Sequence, residues 1–207
     1  DKVWLPLGGV PVVAYSVKAF AACNPQPRVA LVVSRERLSG ARALVGELGI
    51  DAVVCVGGER RQDSVQNGLA ALGNVSVVAI HDGARPLVSP ELIERCYAEA
   101  ANHGAAVPGV PVRDTLKRVS DDGWVQATVD RGGLWGVQTP QVFRMELLLE
   151  AYAALRGEVT DDAAVVEGLG RPIKMVPGDP RNLKLTTRED LIVARALLGL
   201  PATEGNG

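Results

Sequence analysis

Residues 76–86 read SVVAIHDGARP, a short apolar run followed directly by a polar loop that carries histidine, aspartate and arginine. Two similar apolar runs lie upstream, at residues 29–33 (VALVV) and 52–56 (AVVCV), and weaker ones lie at residues 105–107 and 173–176. Short continuous apolar runs are typical of strands that are buried on both faces of a sheet. The sequence therefore predicts several such strands.

Helical patterns separate the apolar runs. Apolar side chains recur at i, i+4 and i+7 within residues 13–20 and 65–72, and a further stripe follows Pro90. Alternation of strands and helices predicts the α/β class, with a Rossmann-like, mostly parallel twisted sheet that has helices on both faces. In such sheets ligands bind beyond the carboxyl ends of the strands, so the residues that follow each run are the first candidates for function.

One segment interrupts this alternation. Residues 116–119 and 124–129 flank the turn SDDG at residues 120–123, which predicts a two-stranded hairpin. Because an isolated hairpin is only marginally stable, we expect it to pack on the parent sheet or on another subunit. We predict a single domain over residues 1–207, with a protruding β-hairpin arm at about residues 113–131.

Composition and charge exclude several classes of protein. The 22 Lys and Arg residues against 24 Asp and Glu residues leave a net charge of −2, which argues against a nonspecific nucleic-acid binder. No apolar run approaches the ~20 residues that cross a bilayer. Cys23, Cys55 and Cys96 are odd in number and widely spaced, so we expect reduced thiols in a cytoplasmic protein, with no membrane or nucleic-acid partner.

The loop after the second run is the first candidate site. Gly57 and Gly58 allow close approach of the backbone to a ligand, Arg61 can bind a phosphate or a base, and Ser64 adds a hydroxyl. A plain strand-to-helix turn with solvated charges would show the same composition.

The loop after residue 80 is the second candidate site. Asp82, at the end of a central strand, is well placed to hold Mg²⁺ beside substrate phosphates. The alternative is an Asp82–Arg85 ion pair that only shapes the loop. His81 is more typical of a structural histidine than of a proton shuttle.

Further polar candidates lie towards the C-terminus. Thr115 and Arg131 stand at the base of the predicted hairpin, which suggests a shared ligand, although a structural Asp–Arg pair would give the same pattern. Thr139 offers a hydroxyl in a polar turn, and residues 160–162 (TDD) are typical of a helix N-cap. Lys184 lies in an apolar stretch, where an ammonium group needs an anionic partner such as a bound phosphate.

Together these residues favour one kind of chemistry. Three cations, Arg61, Arg131 and Lys184, and one carboxylate, Asp82, are predicted at strand ends. That combination fits phosphoryl or nucleotidyl transfer, in which catalysis is mostly positioning and charge stabilisation.

Six motifs follow one another in a fixed order. They are GGxxRxxSVxxGL from residue 57, HDGARP from 81, PVxDTLK from 111, DRxxLWxxQTPQ from 130, TDD from 160 and NxKLT from 182. Together they closely resemble the 2-C-methyl-D-erythritol 4-phosphate cytidylyltransferase family of nucleotidyltransferases, which belongs to the non-mevalonate isoprenoid pathway. The resemblance covers nearly the whole chain.

The resemblance implies a Mg²⁺-dependent reaction in which the phosphate of methylerythritol phosphate attacks the α-phosphorus of CTP and pyrophosphate leaves. A ribitol-5-phosphate cytidylyltransferase and a non-catalytic CTP-binding dimer remain as alternatives. The resemblance also implies a homodimer whose hairpin arms embrace, each arm donating Thr115 and Arg131 to the neighbour's site.

The resemblance further assigns roles to individual residues. CTP would be bound by Gly57, Gly58, Arg61, Ser64, Asp82 and Gly83. The sugar phosphate would be bound by Asp82, Arg85, Thr115, Arg131, Thr139 and Lys184. Lys2, Arg131 and Lys184 would be catalytic, and Asp82 would hold the metal ion.

The sequence departs from the family pattern at two points. The family's glycine-rich phosphate loop, its catalytic arginine and the strand before them would all precede Lys2. We expect the native protein to carry about 25 further residues upstream, enough for one strand and a loop. Arg181 stands where several relatives carry an acidic residue, and Asp179 is near enough to substitute for it.

Overall fold

Strands and helices alternate through the computed structural model, which describes residues 2–201. A 3₁₀ turn at Lys2–Trp4 is followed by β1 (Pro6–Leu7), β2 (Val10–Pro11), α1 (Val12–Ala21), β3 (Val29–Val33), a 3₁₀ turn at Arg35–Arg37, α2 (Leu38–Leu48), β4 (Ala52–Val56), α3 (Arg61–Leu72), β5 (Val77–Ile80) and α4 (Pro90–His103). The second half contains β6 (Ala105–Pro111), β7 (Leu116–Val119), β8 (Val125–Val129), β9 (Trp135–Val137), β10 (Gln141–Arg144), α5 (Met145–Ala154), α6 (Asp162–Glu167), β11 (Lys174–Pro177) and α7 (Arg188–Leu197). The predicted α/β class is confirmed.

The larger sheet has five strands, in the order β11, β6, β10, β5, with β9 paired to β6. Because β10 runs antiparallel to both β5 and β6, those two strands point the same way, and β11 is parallel to β6. The parallel arrangement expected from the apolar runs therefore holds for β5, β6 and β11. Sequence analysis did not identify β10, which enters between β5 and β6 in the opposite direction.

Side chains of β10 point alternately into two apolar layers. Phe143 packs with α3, α5 and α6 on one face of the sheet, and its neighbour Val142 packs with α4 on the other. Cys96 lies in the α4 layer, where burial raises the pKa of its thiol to about 12. All three cysteines are free thiols, as predicted.

Local signals in the sequence place several helix ends. The Ser89 hydroxyl accepts a hydrogen bond from the backbone N–H of Leu92 at the start of α4, directly before Pro90. At the start of α7, Thr187 and Asp190 form a reciprocal capping box. Both starts use residue types that are typical of helix N-caps.

The strands β3 and β4 form a separate parallel pair. Within residues 2–201, β3 pairs with β4 alone and β5 pairs with β10 alone, so each has one open edge. A cavity of about 970 Å³ lies between β3 and β5, and side chains of α1 and α3 complete its lining. Val3 and Trp4 close one end of it.

The predicted hairpin is formed by β7 and β8, which pair only with each other within the described residues. Apolar side chains near its tip are solvent-exposed, and the side chain of Trp124 is 73% accessible. In the part of the chain that the structure describes, no helix has both the length and the apolar character to span a membrane.

Candidate active site

An ion pair between Asp82 and Lys184 lies at the centre of the candidate site. Asp82 follows β5, Lys184 lies in the loop between β11 and α7, and the carboxylate Oδ2 is 2.9 Å from Nζ. Arg85 Nε lies 4.0 Å from the same oxygen. Burial raises the pKa of Asp82, but the contact with Lys184 and the charges of Arg61 and Arg85 outweigh burial, so the pKa falls below its usual range. Asp82 is therefore ionised at neutral pH.

The structure identifies the anionic partner that the sequence predicted for Lys184. Within the protein that partner is Asp82, and the lysine side chain is about half exposed. The ammonium group is therefore accessible to an anionic ligand from solvent.

Lys2 contacts the same loop as Lys184. Its Nζ donates a 2.5 Å hydrogen bond to the carbonyl oxygen of Thr186. Asp190 Oδ2 holds that loop, because it accepts hydrogen bonds from the backbone and hydroxyl of Thr186 and from the backbone of Thr187. These hydrogen bonds lower the pKa of Asp190 to about 2. One predicted catalytic cation, Lys184, thus lies on this anchored loop, and a second, Lys2, contacts it.

Arg61, at the start of α3, forms an ion pair with the buried carboxylate of Asp162. Its Nη2 lies 2.5 Å from Asp162 Oδ2, and the Tyr152 hydroxyl donates to the other oxygen at 2.6 Å. Asp162 is fully buried, at 0% exposure. Asp161 supplies the predicted N-cap of α6 by accepting from the Ala164 N–H.

Sequence analysis missed the role of Asp162. The motif TDD contains an indication of this role. A helix N-cap needs only one side-chain acceptor, so the cap does not account for the second aspartate. Tyr152 gave no such signal, since it falls on the buried face of α5 like any core aromatic residue.

The predicted CTP loop folds tightly on the first turn of α3. The Gly58 N–H donates to the hydroxyl oxygen of Ser64 at 3.0 Å. A Cβ atom at Gly58 would collide with Asp63, and one at Gly57 would lie 2.7 Å from Ser64 Oγ, so both positions require glycine. Gly83, in the loop after β5, lies against α1.

A buried histidine lies beneath Asp82. The Nε2 atom of His81 lies 3.2 Å from the carbonyl oxygen of Arg85, and its Nδ1 lies 3.0 Å from the Thr139 hydroxyl. A carbonyl oxygen can only accept, so Nε2 carries the hydrogen and Nδ1 accepts from Thr139. Burial lowers the pKa of His81 to about 4, which keeps the ring neutral. The Thr139 oxygen accepts from the Asp82 N–H at 3.0 Å.

A second buried contact joins the two loops that carry Asp82 and Lys184. Asn182, fully buried, donates from Nδ2 to the carbonyl oxygen of Thr139 at 2.8 Å. The carbonyl oxygen of Asn182 accepts from Arg85 Nη1 at 2.7 Å and from Gln138 Nε2 at 3.3 Å. Arg85 therefore contributes to loop geometry through Nη1, whereas its buried Nε makes no hydrogen bond within the described residues.

Thr115 and Arg131 do not join this cluster within one chain. Both are solvent-exposed and lie at the base of the hairpin. Among residues 2–201, no hydrogen bond or ion pair connects either side chain with Asp82 or Lys184. The structure thus brings together Lys2, Arg61, Asp82 and Lys184, and leaves the two hairpin residues apart.

Asp82 is the carboxylate best suited to a metal ion. Within the described residues there is no group of three or more His, Cys, Asp or Glu side chains that could hold one. Mg²⁺ commonly binds through one or two carboxylates together with substrate phosphates and water, and a single aspartate fits that chemistry. Asp179, the predicted substitute for an acidic residue at Arg181, accepts the Arg181 N–H at 2.8 Å.

Comparison with known proteins gives a consistent result. The chain matches the family described as IspD, 2-C-methyl-D-erythritol 4-phosphate cytidylyltransferase, over residues 1–200. It is 43% identical to the protein of that name from Geobacillus kaustophilus, with 96% of this chain and 89% of the relative covered. It is 46% identical to the protein of that name from Pelotomaculum thermopropionicum, with 95% and 86% covered.

A solved structure agrees with these sequence relatives. The crystal structure of 2-C-methyl-D-erythritol 4-phosphate cytidylyltransferase from Thermus thermophilus superposes with a TM-score of 0.83 at 35% identity. The superposition covers 96% of this chain and 94% of that chain.

We expect Asp162→Asn to destabilise the protein by about 2–3 kcal/mol, because Arg61 and the Tyr152 hydroxyl lose their charged acceptor. The estimate takes the lower part of the range for broken buried pairs, since the Arg61 side chain is 39% exposed and water screens its charge. Urea unfolding followed by circular dichroism measures the change.

Asp161→Asn is the matched control. Asparagine can still cap α6, but its amide nitrogen cannot accept the hydrogen bond that Gln141 Nε2 donates to Asp161 Oδ2, so this variant should lose about 1 kcal/mol. Equal stability of the two variants would show that Asp162 does not carry the contact.

Proposed function

The chain belongs to the 2-C-methyl-D-erythritol 4-phosphate cytidylyltransferase family, and we propose that the cluster around Asp82 and Lys184 is where it performs this reaction. The enzyme transfers CMP from CTP to 2-C-methyl-D-erythritol 4-phosphate in non-mevalonate isoprenoid biosynthesis. The predicted class, a nucleotidyltransferase, is confirmed. The observation that carries the assignment of the site is the Asp82–Lys184 pair at the end of β5, with Lys2 in contact with the loop that carries Lys184.

The nucleotide half of the site would be formed by the loop before α3. Gly57, Gly58 and Ser64 give it a tight backbone beside the first turn of a helix, where N–H groups favour an anionic or polar ligand. Asp162 occupies one edge of the Arg61 guanidinium. The other N–H groups of Arg61 are therefore oriented and available to the nucleotide.

The phosphate half of the site would be formed by the two lysines. Transfer between phosphates needs positioning and neutralisation of charge, and no covalent intermediate with the protein is required. Lys184 and Lys2 place two ammonium groups near one loop, where they can stabilise the charge that develops on the phosphates. Asp82 would hold Mg²⁺, which would add a positive charge beside the leaving pyrophosphate.

We propose that the active enzyme is a homodimer and that the hairpin arm completes the partner's site. Within the described residues the two strands of the arm pair with no other strand, and Trp124, Val125 and Val119 are exposed on it. Arg131 and Thr115 lie at its base, apart from Lys184 of the same chain. A second subunit would both cover the apolar tip and receive these two residues.

We further propose that the cavity between β3 and β5 accepts the strand that the family resemblance places before Lys2. Two open strand edges face this cavity, and its lining is mainly apolar. Lys2 itself lies beside Thr186 at the active-site edge, so a strand followed by a phosphate-binding loop would lead directly into it. The described residues would then belong to a single nucleotidyltransferase domain. The cytoplasmic location stays a prediction.

Substrate turnover tests the proposed function. With CTP and Mg²⁺, we expect pyrophosphate release with 2-C-methyl-D-erythritol 4-phosphate to exceed that with ribitol 5-phosphate by about 100-fold or more, because a site built for one polar substrate discriminates strongly. Addition of EDTA should abolish release. Faster turnover of ribitol phosphate would contradict the assignment, and CTP binding without turnover would favour a non-catalytic dimer.

Mixing two inactive variants tests the shared site. Lys184→Ala and Arg131→Ala should each lower kcat by about 100-fold or more, because each removes a charge from the transition state. In a mixed dimer, one of the two sites would regain both residues. Since half of the dimers are mixed, refolding the variants together should restore about a quarter of wild-type activity.

The same mixture also has a clear opposite outcome. If Lys184 and Arg131 served the same site from one chain, no mixed dimer would contain an intact site, and activity would stay at the level of the single variants. Lys174→Ala, which removes an exposed lysine from β11, is the control for loss of charge alone.

Hydrogen exchange tests the proposed strand. In the protein expressed from its full gene, amides of β3 and β5 should exchange about tenfold or more slowly than in the 207-residue chain, because their open edges gain partners. Amides of β6, already paired on both sides, serve as the control. Equal exchange in both proteins, or a native mass of 21.8 kDa, would contradict the proposal.

A further inference from the structure

We propose that Thr139 and His81 are positioning residues that set the backbone of Asp82 and hold the Lys184 loop against it. This inference rests on the proposed function of the Asp82–Lys184 site. It gives Thr139 a role different from the direct contact with sugar phosphate that the resemblance implies. His81, to which the resemblance assigns no role, belongs to the same hydrogen-bonded group.

The hydroxyl of Thr139 is already fully used inside the protein. It donates its single hydrogen to His81 Nδ1 and accepts the N–H of Asp82, both at 3.0 Å. The residue is only 5% exposed. A phosphate that took a hydrogen bond from this hydroxyl would leave His81 Nδ1, a buried acceptor, without its donor, which is costly.

The strand register explains why Thr139 meets Asp82. β10 runs antiparallel to β5, with Gln141 directly opposite Ile80. Two residues further along, the chain before β10 lies beside the chain after β5, so Thr139 faces Asp82. The contact therefore lies directly beyond the paired ends of the two strands.

His81 fixes the other end of the Asp82 loop. Its Nε2–H donates to the carbonyl oxygen of Arg85, which also accepts from the Ser16 hydroxyl at 3.2 Å. The imidazole packs against the ring of Phe20, with the ring centres 5.4 Å apart. The imidazole thus binds both the Arg85 carbonyl oxygen and the Thr139 hydroxyl that accepts the Asp82 N–H.

Thr139 also anchors the loop that carries Lys184. Its carbonyl oxygen accepts from Asn182 Nδ2, and the Leu185 N–H donates to the carbonyl oxygen of Ala84 at 2.8 Å. Thr139 therefore contacts both loops of the ion pair: its hydroxyl accepts from the Asp82 N–H, and its carbonyl oxygen accepts from Asn182 in the Lys184 loop. A shift of the Thr139 hydroxyl would change the position of Asp82 relative to Lys184.

Steady-state kinetics of Thr139→Val and Thr139→Ser test the proposal. Valine keeps the shape but removes both hydroxyl contacts, so kcat should fall by about 10- to 100-fold, with KM for 2-C-methyl-D-erythritol 4-phosphate changed less than about twofold. Thr139→Ser keeps the hydroxyl and should recover most of the lost kcat. A raised KM with kcat retained would overturn the proposal, because it would indicate direct contact with the substrate.

His81→Phe is a second, independent variant, in which a ring still packs on Phe20 but both hydrogen bonds are lost. It should also lower kcat and leave that KM unchanged. If both residues act through one contact, the double variant should lose no more than about the larger single loss. Losses that multiply, or a folded His81→Phe enzyme with wild-type kinetics, would overturn the proposal.

The wild-type enzyme separates this inference from the function on which it rests. Absence of turnover in the wild type would remove the proposed function, whereas an active wild type with unaffected variants would remove only the positioning role. Thermal unfolding of each variant establishes that the assay temperature lies below its transition. If Thr139→Val does not fold, His81→Phe alone decides, because no substrate contact is assigned to that ring.

Discussion

The ion pair between Asp82 and Lys184 is the contact on which the rest of the site depends. Two partly buried charges are favourable only when their geometry is held closely, because both lose hydration on approaching each other. The structure meets that condition through backbone anchors: Thr139 and Asn182 hold the two loops together, and Asp190 ties the lysine loop to the start of α7. Thr139 and Asn182 provide neutral anchors for the two loops, and Asp190 provides a charged one.

The cations around this pair differ in how far a carboxylate of the protein neutralises them. Asp162 neutralises one side of Arg61 and Asp82 pairs with Lys184, whereas Lys2 donates to the carbonyl oxygen of Thr186. The chain as a whole has a net charge of −2, yet Arg61, Arg85 and Lys184 all lie close to Asp82. An anionic nucleotide would therefore be attracted to this site without a basic surface elsewhere, which suits a small phosphorylated substrate better than a polymer.

Two features of the fold are incomplete when one chain is considered alone. The hairpin arm exposes Trp124 and carries Arg131 away from Lys184, and β3 and β5 face each other across an apolar cavity. Each feature lies next to a predicted catalytic group. In the proposed assembly, burial of these surfaces and completion of the active site would happen together.

Much of this could be read from the sequence. The apolar runs at residues 29–33, 52–56 and 76–80, the hairpin turn and the caps of α4 and α7 are local patterns, and each determined its own element. The motif order indicated the family and most of the residues that gather at the site. Only the tertiary structure shows that β10 enters the sheet between β5 and β6. It also shows that Asp162 pairs with Arg61, and that the Thr139 hydroxyl hydrogen-bonds to His81 and Asp82. These contacts join residues dozens of positions apart, and a local pattern carries no information about which distant polar groups will be buried together.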